Sequence, residues 1–484
     1  MSTGARLLGG LDRSVQAPFG VAQLALGLMN RGDQVVTLRV EERFGEGRDP
    51  GAELRHVVGD RRQLRGDRLG GSGHGADGTE QSPGRPRDHP STLRRVIRVR
   101  DDLRALEGYH SAQVDVRVRL NTNESPQPPP AAFRDAVAAE VSRVDWHRYP
   151  DRSATALREA IAETHRVDPA QVFAANGSNE VLQTVLLAYA GPGRTVATFE
   201  PTYQMHAQIA RVTGATVVEG ERAADFTLDP AEVDRVVREF QPDVVFLTSP
   251  NNPTGLVEPV ERVRQLIATA PGLVVVDEAY AQFADWSALE LIDEATPLVV
   301  TRTFSKTWSM AGARLGYLIG PTWLVAELDK VVLPYHLDAV KQIAGRLALR
   351  FTDDMNERVE HIVSERQRIT STMADLPVDV FPSGANFVLF RVRAEGLTGH
   401  DVWQGLVDRS VLIRDCSSWP RLDDCLRVTI GTPDENTEFL AALSAVLAGS
   451  PPPVFAAEST ADSIAHSTTH SNRSTPSMPN GASS

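Results

Sequence analysis

The chain has 484 residues, 41% of them hydrophobic and 23% charged, with a formal net charge of -13 and a pI near 5.5. Such a polyanion is a poor partner for nucleic acid or an anionic membrane, and no run approaches the ~18 uninterrupted apolar residues that a membrane span needs. Two cysteines, Cys416 and Cys425, exclude a disulfide framework and a four-cysteine zinc site, and they suit a reducing, cytoplasmic compartment.

In chain order, residues 1–95 read as a disordered or non-native leader. The stretch 59–90 is rich in Gly, Arg and Asp and nearly free of apolar residues, so it cannot bury enough surface to offset its ordering entropy. The mildly apolar run 17–29 is preceded by Asp12 and followed by no small-x-small site, which argues against a cleaved export sequence. From 451 onward Pro, Ser, Thr and Asn dominate, the composition of a disordered tail.

Between these ends, short runs rich in Val, Leu and Ile at 195–199, 244–248, 273–276 and 298–301 read as strands. Amphipathic stretches at 154–164, 180–190, 230–240 and 257–269 alternate with them and read as helices. This alternation predicts an α/β protein with a mostly parallel sheet covered on both faces, and functional groups in the loops at the carboxyl ends of its strands.

Three predicted strand ends carry chemistry. VVFLTSPNNPTG (244–255) brings Asn252, LVVVDEAY (273–280) brings Asp277 and Tyr280, and LVVTRTFSK (298–306) brings Ser305 and Lys306. Lysine occurs only at 306, 330 and 341 in the whole chain, and the other two lie in helix-like sequence. An amine, a carboxylate, a phenol and a carboxamide at one rim match the needs of pyridoxal phosphate. That cofactor requires a lysine for a Schiff base, a carboxylate to keep its ring nitrogen protonated and donors to its phenolic oxygen. Local sequence leaves duller readings open: Asp277 also suits a cap for the next segment, and Asn-Pro is a common turn starter. The loop-to-helix run NGSNEVLQTVLLAYA puts Ser178 near a helix N-cap, where backbone N–H groups suit an oxyanion.

The order NPTG, DEAY, SK and an arginine eight residues past the lysine resembles the fold type I aminotransferases of class I/II. LNTNESP, HRYPD, NGSNE, PTYQMH and LRVTIGT are similar to the histidinol-phosphate aminotransferases among them, over about 96–449. The resemblance implies a large cofactor-binding domain (141–340) and a smaller α+β domain assembled from 96–140 and 341–450. It implies that Lys306 is the Schiff-base lysine and general acid–base. Asp277 would pair with the ring nitrogen, Asn252 and Tyr280 with the phenolic oxygen, and Tyr203 would stack on the ring. Ser178, Asn179, Thr303, Ser305 and Arg314 would hold the cofactor phosphate.

For the substrate it implies Arg414 and Arg427 as anion-binding guanidiniums, Tyr109 beside the imidazole and Asn386 as support nearby. Tyr149 would reach into the neighbouring subunit's site of a homodimer. The implied reaction is transamination between histidinol phosphate and 2-oxoglutarate, with glutamate as the other amino carrier and no metal. An aromatic amino acid aminotransferase or a threonine-phosphate decarboxylase of the same fold are the alternatives. The leader shows no pattern of a DNA-binding head, and the complete set Asn252, Asp277, Tyr280, Lys306 and Arg314 argues against a catalytically dead homologue.

Overall fold

The computed structural model describes residues 98–104, 106–108 and 112–451; the expectations for the leader, for the tail beyond 451 and for Tyr109 fall outside the described residues. In chain order the strands are β1 (Val118–Leu120), β2 (Val172–Ala175), β3 (Thr195–Glu200), β4 (Thr216–Glu221), β5 (Val244–Thr248) and β6 (Leu273–Asp277). They continue with β7 (Leu298–Thr303), β8 (Gly316–Ile319), β9 (Val378–Val380), β10 (Phe387–Val392), β11 (Val411–Asp415) and β12 (Cys425–Thr429).

Seven of them form one sheet in the order β2-β8-β7-β6-β5-β3-β4. The pairs β3·β4, β3·β5, β5·β6 and β6·β7 are parallel, and β8 runs antiparallel to both β7 and β2. The pleat sends neighbouring side chains to opposite faces, so a strand buried on both sides must be apolar at every position. β5 does this: Val244 and Phe246 join the core on one face, and Val245 and Leu247 join the core on the other. In β6 and β7, Val275 and Val299 face the first core, while Val274, Val276, Leu298 and Val300 face the second. Each such fully buried side chain stabilises the fold by about 1.5–3 kcal/mol.

The covering helices obey the 3.6-residue period. Pro230–Phe240 begins at Asp229, whose carboxylate accepts from the Ala231 N–H at 2.8 Å, with Pro230 at the first helical position. It buries Val233, Val236 and Val237 on one face against the second core and ends at Gln241, which adopts a left-handed φ of 43°.

Five strands form the second sheet, in the order β1-β11-β12-β10-β9. β1 pairs parallel with β11 (Val118↔Val411), so the segment before the large sheet returns to the sheet built by the last third of the chain. Its core includes Phe387, Phe390, Ile413, Leu426 and Phe439, and it also takes in Tyr280 and Phe283 from the loop after β6. That insertion ties the carboxyl rim of the large sheet to the small sheet. Among the described residues no helix is long and apolar enough to cross a membrane.

Candidate active site

A cleft of roughly 950 Å³, open mouth included, lies between the carboxyl ends of the large-sheet strands and strands β11 and β12. That is the size range of small-molecule sites. Among its lining residues, Lys306, Arg314, Arg414 and Arg427 face a single acidic side chain, Asp277. In a chain of net charge -13 this is a locally cationic hollow, shaped for anions.

The strand pleat decides where Asp277 points. As the last residue of β6 it shares the face of Val275, on the side covered by the helix Met205–Thr213. Its Oδ2 accepts from Nε2 of His206 at 2.9 Å, and its Oδ1 accepts from the Thr301 hydroxyl at 3.2 Å. Both His206 and Asp277 are buried, and the imidazole lies flat on Phe246 with ring centroids 4.4 Å apart. The carboxylate is therefore desolvated yet hydrogen-bonded, the condition under which a buried charge is tolerated. Glu278, one residue on, takes the opposite face and pairs with buried Arg302 at 2.7 Å.

Lys306 stands three residues beyond β7. Its Nζ donates to the Thr122 carbonyl at 3.2 Å and lies 5.7 Å from the centre of the Tyr280 ring. Burial, followed by the positive charge of Arg427, pulls the amine down from the usual lysine range to about 7; Glu124 opposes this and Arg314 adds to it. Much of the amine is therefore uncharged, and nucleophilic, near neutral pH. The Tyr280 hydroxyl accepts from Asn123 Nδ2 at 3.0 Å. Asn252 presents its Oδ1 to Nη1 of Arg427, which leaves its amide NH2 as the donor toward the cleft.

At one end of the cleft the helix Ser178–Tyr189 begins. Gly177 is its N-cap, with Ser178 the first helical residue, and among the described residues the N-cap side makes no side-chain capping hydrogen bond. Around that end Thr303 and Ser305 hydroxyls lie 3.0 Å apart, and Nη1 of Arg314 donates to Ser305 Oγ at 3.3 Å. Two glycines permit this convergence. Gly177 adopts φ +84°, and a Cβ there would lie 2.9 Å from Arg314 Nη2; a Cβ on Gly316 of β8 would lie 2.3 Å from the Ser178 nitrogen. Tyr203 flanks the cup, its hydroxyl donating to Asn179 Oδ1 at 3.1 Å.

The opposite wall belongs to the small sheet. Arg414 of β11 and Arg427 of β12 are direct cross-strand partners. Arg427 is buried: besides Asn252 it donates through Nη2 to the Asn121 carbonyl at 3.1 Å, its Nε has no hydrogen-bond partner among the described residues, and its guanidinium lies 5.1 Å from the Phe387 ring centre. Arg414 lies 5.5 Å from the centre of the Trp419 ring.

Lys306, Ser178, Asn179, Tyr203, Asn252, Asp277, Tyr280, Thr303, Ser305, Arg314, Arg414 and Arg427 thus share one cavity. Two other expected residues do not line it. Asn386 is fully buried, donating through Nδ2 to the Asn123 and Glu124 carbonyls at 3.1 and 3.4 Å; it holds the loop that forms the wall. Tyr149 is 79% exposed and stacks on Tyr335 at 4.5 Å. Sequence reasoning passed over Thr122, Asn123, Thr248, Gln204, Met205 and Trp419, which also line the cleft, and His206 behind Asp277. His206 was within reach: a helix covering β6 on the Val275 face must meet Asp277, but which helix does so is a tertiary fact.

A lysine, a carboxylate, and a helix start with an arginine beside it are the parts expected from the sequence; the imidazole behind the carboxylate is added by the structure. The sequence profile of the family "Aminotransferase class I and II" matches residues 116–443. The chain belongs to the class I and II aminotransferases. Within the family, it is 44% identical over 388 residues to histidinol-phosphate aminotransferase of Frankia casuarinae, covering 77% of this chain and 95% of the relative. The enzyme of the same name from Mycobacterium marinum is 45% identical over 72% of this chain and 92% of its own. Among solved structures, histidinol-phosphate aminotransferase from Sinorhizobium meliloti in complex with pyridoxal-5'-phosphate superposes with a TM-score of 0.63 at 26% identity, covering 69% of this aminotransferase and 91% of that chain. The α/β architecture with its large and small sheets is the fold type I arrangement that the sequence motifs implied.

Proposed function

We propose that this aminotransferase moves the amino group of L-histidinol phosphate to 2-oxoglutarate, giving imidazole-acetol phosphate and glutamate, a step of histidine biosynthesis, with pyridoxal 5'-phosphate as cofactor. The observation that carries the substrate reading is the cross-strand pair Arg414 and Arg427 in the same cleft as Lys306. Two adjacent guanidiniums destabilise an empty sheet face and favour a doubly charged anion such as a phosphate ester between them. The relatives named above carry the same activity in their names.

The residues present fit the cofactor. Ser178, Asn179, Thr303, Ser305 and Arg314 make an anion cup at a helix start, and Gly177 and Gly316 keep it open. Asp277, held by His206 and Thr301, would sit at the ring nitrogen. Asn252 and Tyr280 would donate to the phenolic oxygen, and Tyr203 would cover the ring. When bound, pyridoxal phosphate supplies an aldehyde that captures amines and a protonated ring that draws electrons from the adjoining carbon.

The protein's own part is to bind, orient and move one proton. Lys306, which would anchor the aldehyde, has an amine shifted to about 7, so its Nζ can take the proton from the amine-bearing carbon of the substrate, hold it and pass it on, rather than return it, near neutral pH. Arg414 and Arg427 would fix the phosphate of histidinol phosphate in one half-reaction and a carboxylate of glutamate in the other. The small sheet (within 96–140 and 341–450) would thus select, while the large one (within 141–340) does the chemistry.

We read the protein as a cytoplasmic homodimer. Trp146 and Tyr149 are 72% and 79% exposed, and Leu333 and Tyr335 are exposed with them, an aromatic patch that a second subunit would cover. In a two-fold dimer each subunit would lend Tyr149 to the other's site. Mixing inactive Lys306→Ala with strongly impaired Tyr149→Phe should restore up to roughly a quarter of wild-type activity in hybrids after random exchange. Mixtures that stay dead despite exchange would place Tyr149 in its own subunit's service.

The substrate assignment is tested by kcat/KM with 2-oxoglutarate as acceptor. Histidinol phosphate should exceed phenylalanine and tyrosine by at least about a hundredfold, the value of a well-placed charged contact. Equal values would make this a general aromatic aminotransferase.

A further inference from the structure

We propose that Trp419 is a positioning residue that holds the Arg414 guanidinium in place for the phosphate end of the substrate. The inference rests on the reading of Arg414 as a phosphate-binding arginine. No motif in the sequence pointed to Trp419; it enters the cleft from the turn between β11 and β12, alongside Arg414 and Arg427.

The first observation is the pairing of each arginine with a ring. Arg427 lies over Phe387 at 5.1 Å and Arg414 over Trp419 at 5.5 Å, both within cation–π range. Cross-strand guanidiniums repel, so each needs something to hold it without removing its charge. A carboxylate would neutralise the charge that the phosphate needs. An aromatic face engages the guanidinium through its flat side and leaves the in-plane N–H edge for a bidentate anion.

The second observation is the anchoring of the ring. Arg427 is fixed by hydrogen bonds to Asn252 and the Asn121 carbonyl, and Arg414, half-buried on β11, meets the Trp419 ring. Trp419 itself is tied down. Its backbone N–H donates to the Cys416 carbonyl at 2.9 Å, and its backbone carbonyl accepts from the Leu422 N–H at 3.1 Å. The indole packs on the buried cluster of Phe226, Leu389, Cys416, Leu422 and Cys425. Phe226 belongs to the connection after β4 and Leu389 to β10, so this cluster joins the two sheets and makes a firm base.

The test uses the holoenzyme, in which the cofactor phosphate site is filled, and three variants: Trp419→Ala, Trp419→Leu and Trp419→Phe. Two readouts are taken: KM and kcat for histidinol phosphate against unphosphorylated histidinol, and the affinity for inorganic phosphate by calorimetry. Trp419→Ala and Trp419→Leu should raise KM for histidinol phosphate about tenfold, with kcat within about twofold and KM for histidinol unchanged; phosphate affinity should fall by the same factor. Trp419→Phe, which keeps a ring, should recover to within about threefold of wild type. If Trp419→Ala does not fold, Leu against Phe decides, because both keep apolar volume and only one keeps a π face. Equal losses for histidinol and histidinol phosphate, or Phe no better than Leu, overturn the proposal. A wild type that ignores histidinol phosphate would instead overturn the function proposed above, while the phosphate titration would still judge Trp419.

Discussion

The two sheets present their polar groups in different ways. The large sheet keeps β5, β6 and β7 buried along their whole length and places its polar cleft groups at or beyond the strand ends: Asp277 closes β6, Thr303 closes β7, and Asn252, Tyr280 and Lys306 follow in loops. The small sheet carries Arg414 and Arg427 inside strands. A group in a loop can be aimed freely, provided something fixes the loop, as Thr122 and Asn123 do for Lys306 and Tyr280. A group inside a strand is aimed by the pleat, and its register partner comes with it. The rim therefore suits chemistry that needs several converging groups, and the strands suit a rigid two-pronged grip.

The sharpest way to break this division is to remove one group from each side and ask which substrates suffer. Lys306→Ala should lower kcat at least about 10⁴-fold for every amino donor, with far-UV circular dichroism and melting temperature close to wild type. Residual turnover that depended on the substrate would sink the assignment.

Arg414→Ala should lower kcat/KM for histidinol phosphate about a hundredfold and leave histidinol nearly unaffected. Arg427→Ala should injure both, because Arg427 also holds Asn252 and so touches each wall. Uniform loss in Arg414→Ala would show that the strands share in the chemistry.

A thermodynamic contrast comes next. Asp277→Ala strands the buried Nε2–H of His206, so the apoprotein should lose about 1–3 kcal/mol in urea unfolding, in addition to its loss of activity. Replacing His206 as well, by Phe, should recover part of that loss; no recovery would mean that the pair is not coupled.

A further contrast is one of pH. Lys306 is lowered to about 7 in the folded protein, against about 10.4 unfolded. Between those values the unfolded chain binds the extra proton, so the stability of the apoprotein rises with pH relative to Lys306→Met. The slope should be up to ~1.4 kcal/mol per pH unit from about 7 to 10, and the difference flat below about 7. A flat difference across the whole range would mean that the amine is solvated.

Much of this was legible in the linear sequence. The Val-rich runs at 244–248, 273–276 and 298–301 became β5, β6 and β7 with at most two residues added, and 230–240 became the helix Pro230–Phe240, with Asp229 and Pro230 marking its start. Strands buried on both faces must be continuously apolar, and helix starts need caps, so both leave local traces. That Asn252, Asp277, Tyr280 and Lys306 share one cleft was legible for the same reason: each closes or follows a strand end, and a lysine-poor chain leaves few amines to choose from. What only the tertiary structure decided are the groups that act from a distance along the chain. His206 reaches Asp277 across 71 residues, Asn123 reaches Tyr280 across 157, and Arg427 reaches Asn252 across 175. Trp419 belongs with them, because a tryptophan in a turn reads as surface until β11 and β12 pair and fold it back onto Arg414. Periodicity and caps are properties of a segment and can be read from it, whereas a hydrogen bond between distant loops depends on how sheets and helices close around each other, which no single segment encodes.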